Sequence, residues 1–93
     1  MHMDAAIRAI GDFRSEGGVE LLTTLLKSEK DARLKKTLVR VIGEVGRDSV
    51  VPQLEALAKS DPNTEVRVAA IRALREIRTD AAREALIRLL GQK

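Results

Sequence analysis

The residues of this chain that could do chemistry recur at one spacing. Arginines stand at Arg8, Arg40 and Arg72, and each is followed four places on by an acid, Asp12, Glu44 and Glu76. Convergent carboxylates can serve as general acids and bases or hold a metal, and rows of arginine on helices can follow a phosphate backbone. Other chemistry-bearing side chains are scarce. The 93 residues include no cysteine and one histidine, His2. Met1-His2-Met3 resembles a cloning remnant, so His2 is set aside. The lack of cysteine excludes disulfides, zinc-thiolate sites and thiol nucleophiles together. No catalytic group, metal or cofactor is therefore expected.

The spacing that places these residues belongs to the whole chain. Residues 5–9 and 69–73 both read AAIRA, and the midpoint, residues 37–41, reads TLVRV. The alignment extends through Ile10, Ile42 and Leu74, Phe13, Val45 and Ile77, Leu22, Leu54 and Leu86, and Leu25, Leu57 and Leu89, a period of 32 residues. Self-similarity at such a period marks a stacked repeat architecture. Within one unit, Leu34, Leu38, Val41, Ile42 and Val45 fall on one helical face, and Val50, Leu54, Leu57 and Ala58 on a second. Gly43 and Gly46 loosen the end of the first helix, and Asp48 is a candidate cap for the next. Asp61-Pro62 stops a helix, because the residue before proline is pushed out of the α region; Asn63 or Thr64 can cap the helix after it. The pattern predicts helices over 3–14, 18–28, 31–46, 49–59, 63–78 and 80–90 and no strands. The fold expected is an all-α superhelix, or solenoid, of three antiparallel helix pairs. It forms one domain over 1–93, with repeats at about 1–30, 31–62 and 63–93.

Helical geometry then tests the arginines. With Ala70 at zero and about 100° per residue, Val66, Ala73, Leu74 and Ile77 lie within roughly 60° of it, whereas Arg72 lies near 200° and faces solvent. Its neighbour four places on is Glu76, and the same offset joins Arg8 to Asp12 and Arg40 to Glu44. This is the less favourable of the two orientations but still worth a few tenths of a kcal/mol, so the arginine row is expected to be mostly neutralised by i,i+4 pairing, and the acids to lie side by side without converging on a pocket. Some positive excess survives: residues 1–14, 31–47 and 63–78 hold 11 Lys and Arg against 6 Asp and Glu, within a net charge of +3 for the chain.

The stretch Asp61-Pro62-x-x-Glu65-Val66-Arg67-x-Ala69-Ala70-x-x-Ala73-Leu74, with Asp80-Ala81 six residues on, resembles the HEAT-like repeat first described in phycobilisome lyases. The likeness covers nearly the whole chain. Gly11 and Gly43 match the glycine this family places after Ala-Leu, and Arg75 departs from it. Tetratricopeptide units fit less well, since Phe13 is the only aromatic residue, and the ankyrin Thr-Pro-Leu-His is missing. The di-iron enzyme deoxyhypusine hydroxylase resembles this family but uses His-Glu pairs that this chain lacks.

In such arrays the second helices line the concave side, so the resemblance implies a protein-interaction or scaffold function there. The strip comprises Glu20, Thr23, Thr24, Lys27, Gln53, Glu55, Lys59, Glu84, Ile87 and Arg88. A nucleic-acid-binding module using Arg33, Lys35, Lys36, Arg67, Arg75 and Arg78 is the alternative, weakened by the lack of stacking aromatics. An accessory subunit of a bilin lyase is a third reading, resting on the resemblance. No apolar run reaches membrane-spanning length and no signal peptide is evident, so a cytoplasmic location is expected. Finally, Ile71 and Ile87 remain uncovered at one end of the stack, where Arg75 supplies a polar residue and Gly91 a helix stop. The expectation is a chain extending before residue 1 and a weak apolar self-association through an exposed repeat end.

Overall fold

The computed structural model describes residues 16–91, together with Ala5 and Ile7. Residues 16–91 form five α-helices, α1 (Glu16–Ser28), α2 (Ala32–Val45), α3 (Val51–Ser60), α4 (Thr64–Ile77) and α5 (Asp80–Leu90), with a 3-10 turn (Asp48–Val50) leading into α3. No strand occurs among the described residues. Ala5 and Ile7 are helical, but the rest of the helix expected over 3–14 lies outside the described residues, as do Arg8, Gly11, Asp12 and Phe13.

Capping residues set the helix starts. Asp31 Oδ1 accepts from the Arg33 and Leu34 amides at 2.9 and 3.2 Å. Asn63 Oδ1 accepts from Val66 N at 3.1 Å, and Thr79 Oγ1 from Ala82 N at 3.2 Å. Each satisfies an amide that the first helical turn leaves without an intrahelical partner. Asp48 does not cap α3, contrary to the sequence expectation. The chain first makes the 3-10 turn, and α3 then begins behind Val50 without a side-chain cap and with proline in its first turn. Pro52 has no amide to satisfy and its φ suits a helix start, so the cap is not needed there.

The apolar faces form one core. Leu22, Leu38, Ile42, Leu54, Val66 and Leu74 are fully buried, and Leu25, Leu34, Val45, Leu57, Leu86 and Leu89 pack around them half-buried. The most extensive packing joins α2 to α4, followed by α3 to α4; α5 lies against both α3 and α4. The helices thus form two layers, α2 and α4 in one and α3 and α5 in the other, and the shortest Cα extent, 17 Å, leaves room for two layers only.

Gly43 departs from its expected part. It is buried inside α2, and a Cβ built on it would lie 2.8 Å from Ala73 Cβ and 3.0 Å from Ala73 Cα. Instead of loosening a helix end, it lets α2 and α4 approach. The end of α2 falls at Gly46, whose φ of 75° is left-handed and whose amide donates to Ile42 O.

Candidate partner-binding surfaces

Two surfaces carry the polar residues, one on each helix layer. On the second-helix layer, the amphipathic pattern leaves Glu20, Thr24 and Lys27 exposed on α1, Lys59 on α3, and Glu84 and Ile87 on α5. The other strip residues tie the helices together. Gln53 Nε2 on α3 donates to Thr23 O on α1 at 3.2 Å, and Thr23 Oγ1 donates to Glu20 O at 3.0 Å. Arg88 Nε and Nη2 on α5 donate to the two oxygens of Glu55 on α3 at 2.8 and 2.7 Å. This fork is the planar match that guanidinium and carboxylate favour. It holds the Glu55 carboxyl below the usual carboxylate range, against a smaller opposing effect of desolvation. Beside Lys27 and Gln53 a shallow recess of about 350 Å³ opens over Leu26 and Leu57.

The first-helix layer is the basic one, but three of its six candidate phosphate-binding residues are committed elsewhere. Lys35 Nζ meets Asp61 Oδ1 at 2.8 Å, and the Asp61 side chain is only 3% exposed. Lys36 pairs with Glu65 across the α2–α4 seam. Arg67 folds back to cap the preceding turn, donating to Asp61 O at 2.6 Å and Thr64 Oγ1 at 2.9 Å. These contacts carry pKa consequences. Burial opposes ionisation of Asp61, yet the Lys35 hydrogen bond, the Asn63 amide and the charges of Lys35 and Arg67 together lower it. Glu65 is lowered by its bond to Lys36. Arg33, Arg75 and Arg78 remain on the surface, all exposed.

The two described members of the arginine row, Arg40 and Arg72, are not paired as the sequence led one to expect. Among the described residues, Arg40 forms no ion pair with Glu44, and Arg72 forms none with Glu76. Arginine preceding glutamate by four is the weaker orientation on a helix, and exposed pairs give little to hold two long side chains together. The four side chains instead line a groove of about 580 Å³ between α2 and α4, with Arg33, Lys36 and Thr37 and a floor of Ala69 and Ala73. The carboxylates Glu44 and Glu76 therefore do share a groove, although an open one. Sequence reasoning missed the availability of Arg40 and Arg72 because it gave pairs in the weaker orientation more weight than two exposed side chains carry.

Among the described residues no group of three or more His, Cys, Asp or Glu side chains could hold a metal ion. No helix there is long and apolar enough to cross a membrane.

The all-helical, two-layer packing is matched by a family comparison. HEAT repeats match residues 2–61 and, in a second overlapping placement, 20–93. The chain belongs to the HEAT-repeat family. HEAT repeats are commonly protein-interaction scaffolds, and the family is generally non-catalytic. No curated protein and no solved structure matches the chain.

Proposed function

We propose that this HEAT-repeat chain is a non-catalytic scaffold that binds a protein partner on its second-helix surface. In this reading residues 1–93 are one domain of three antiparallel helix pairs with a 32-residue repeat, wound as a short superhelix in the cytoplasm. The observation that carries the reading is the cross-tied row of α1, α3 and α5. Gln53 and Thr23 fix α1 to α3, Glu55 and Arg88 fix α3 to α5, and the exposed Glu20, Thr24, Lys27, Lys59, Glu84 and Ile87 are held on a preorganised surface. The mixed charge of this surface favours a protein partner over a polyanion. Paired capture experiments test it: Lys27→Glu with Lys59→Glu should abolish partner recovery, while Arg40→Glu with Arg72→Glu on the opposite layer should leave it intact. The reverse pattern would place binding on the first-helix groove.

A nucleic-acid reading is favoured by one observation, the exposed Arg33, Arg40 and Arg72 around a single groove. It is weakened by the acids that hold Lys35 and Lys36. Phosphate binding would give an oligonucleotide affinity falling steeply between about 50 and 200 mM salt. The narrower likeness to phycobilisome-lyase repeats, and with it an accessory role beside a bilin lyase, rests on the Asp61–Ala81 stretch and the repeat glycines Gly11 and Gly43.

A further inference from the structure

The exposed large hydrophobic residues among the described residues are four: Leu21 at 46%, Val68 at 41%, Ile87 at 66% and Leu90 at 85% exposure. Their positions in the 32-residue register, on whose correctness this inference rests, are not scattered. Within the chain, α2 and α3 present one flank to α4 and α5. Lys36 reaches Glu65, Val39 is fully buried, Gly43 abuts Ala73, Val51 and Ala58 are buried, and Glu55 reaches Arg88. Thirty-two residues on, the same flank of α4 and α5 consists of Val68, Ile71, Arg75, Arg83, Leu90 and Ile87. Ile71 is half-buried and the other five are exposed. Three of the four exposed hydrophobics thus occupy positions whose internal counterparts face the next helix pair.

Leu21 completes the pattern from the other side. Its register counterparts are Gln53 and Ala85, which lie on the faces that α3 turns to α1 and α5 turns to α3: Gln53 bonds Thr23 O, and Ala85 is fully buried one turn before Arg88, which bonds Glu55 on α3. On α1 that face carries the exposed Gly17, Leu21 and Thr24. One end of the molecule therefore offers the apolar residues of a donor flank and the other those of an acceptor flank, in the same register that joins α3 to α5.

From this we infer that two copies of the chain associate head to tail, with Ile87 and Leu90 of one copy packing on Leu21 of the next. The contact continues the internal α3–α5 interface instead of creating a self-complementary patch, so it is heterologous and open-ended. Arg75 limits it. That residue stands where Gly43 permits close approach, and its side chain holds the first-helix layers of two copies apart, leaving the second-helix layers as the contact. A contact this small belongs to the weak class of interfaces.

Light scattering and sedimentation velocity on the intact chain, over a hundredfold concentration range, test the inference. The wild-type mass should rise with concentration, and Leu21→Lys and Leu90→Lys should each remain monomeric. An equimolar mixture of the two variants should recover a dimer and stop there, because each variant keeps one intact end. Wild type that stays monomeric throughout, association by Leu21→Lys alone, or a mixture that remains monomeric would each overturn head-to-tail packing. Leu21 and Leu90 lie outside the proposed partner strip. Partner recovery by both variants therefore tests the scaffold reading separately, and circular dichroism shows whether each is folded.

Discussion

A methyl group on residue 43 would press 2.8 Å from Ala73 Cβ, whereas one on residue 17 would meet nothing within 4 Å. Both residues sit in helices, where alanine is favoured over glycine by up to about 1 kcal/mol. The same substitution should therefore have opposite signs. Gly17→Ala should stabilise the fold by about 0.5 kcal/mol, and Gly43→Ala should destabilise it by roughly 1 kcal/mol or more, since forcing two packed helices apart costs about 1–3 kcal/mol and outweighs the propensity gain. Urea unfolding of both variants measures this directly. Asp61 supplies a second residue-scale outcome. Its folded pKa lies below the ordinary carboxylate value, so the native state binds a proton less readily than the unfolded chain. The stability it contributes is fully present above the unfolded pKa of about 3.9 and is lost as pH falls through the lower folded value. Asp61→Asn should thus be less stable than wild type near pH 7, with the gap closing below about pH 4. Melting temperatures measured from pH 2.5 to 7 check it; a gap constant across that range would mean that the Lys35 contact adds nothing through ionisation.

At the scale of elements, local periodicity made part of the fold legible in the sequence, and packing decided the rest. The apolar face of Leu38, Val41 and Ile42 is set by 3.6-residue spacing and is buried as that spacing demands. Asn63 caps α4 because its side chain stands three residues before an amide of the starting helix, Val66 N, a relation visible in any sequence. By contrast, the Lys35–Asp61 pair joins residues 26 apart, and only the seating of α2 against the turn before α4 brings them together. The same limit applies to the α2–α4 seam. Helix angles put small residues such as Ala69 on the flank between repeats, which suggests that Ala69→Leu would overpack the junction by roughly 1–3 kcal/mol. In the structure Ala69 is half-buried and opens on the groove, while Ala73 is buried against Gly43. Both line the groove, but Ala73 is only 3% exposed and is pressed against Gly43, so a leucine there has less room than one at 69. Ala73→Leu should cost about 2–3 kcal/mol and Ala69→Leu under about 1 kcal/mol. Equal losses in chemical denaturation would show that the two positions are equally enclosed. Within the candidate strip Thr23, Gln53 and Glu55 are half-buried and the rest exposed; the cross-ties were not legible, because Glu55 and Arg88 are 33 positions apart and meet only when α3 and α5 lie side by side.

For the whole molecule, one side chain sets the α2–α4 junction apart from the corresponding flank of α4. At the internal junction, Gly43 lets α2 approach α4 until their backbones nearly touch at Ala73. At the corresponding point of α4, Arg75 stands beside the exposed Val68, on a flank that α5 continues with Arg83, Ile87 and Leu90. A polar residue in that place resists continued stacking in the same way that terminal units keep a solenoid soluble, by making close approach cost the desolvation of a charge. Arg75→Gly removes the charge and the steric bulk together. Glycine inside a helix lowers the stability of the isolated chain by about 1 kcal/mol. If Arg75 is what holds the first-helix layers apart, the same change should nevertheless strengthen self-association by about tenfold or more, a gain of roughly 1.4 kcal/mol in binding free energy. Sedimentation velocity of Arg75→Gly beside wild type reads this as a lower concentration for half-association, and Arg75→Ala should fall between them because its Cβ alone still obstructs the approach. A folded Arg75→Gly chain that associates no more tightly than wild type would show that the end of the stack is closed by the shape of α5 and not by this arginine.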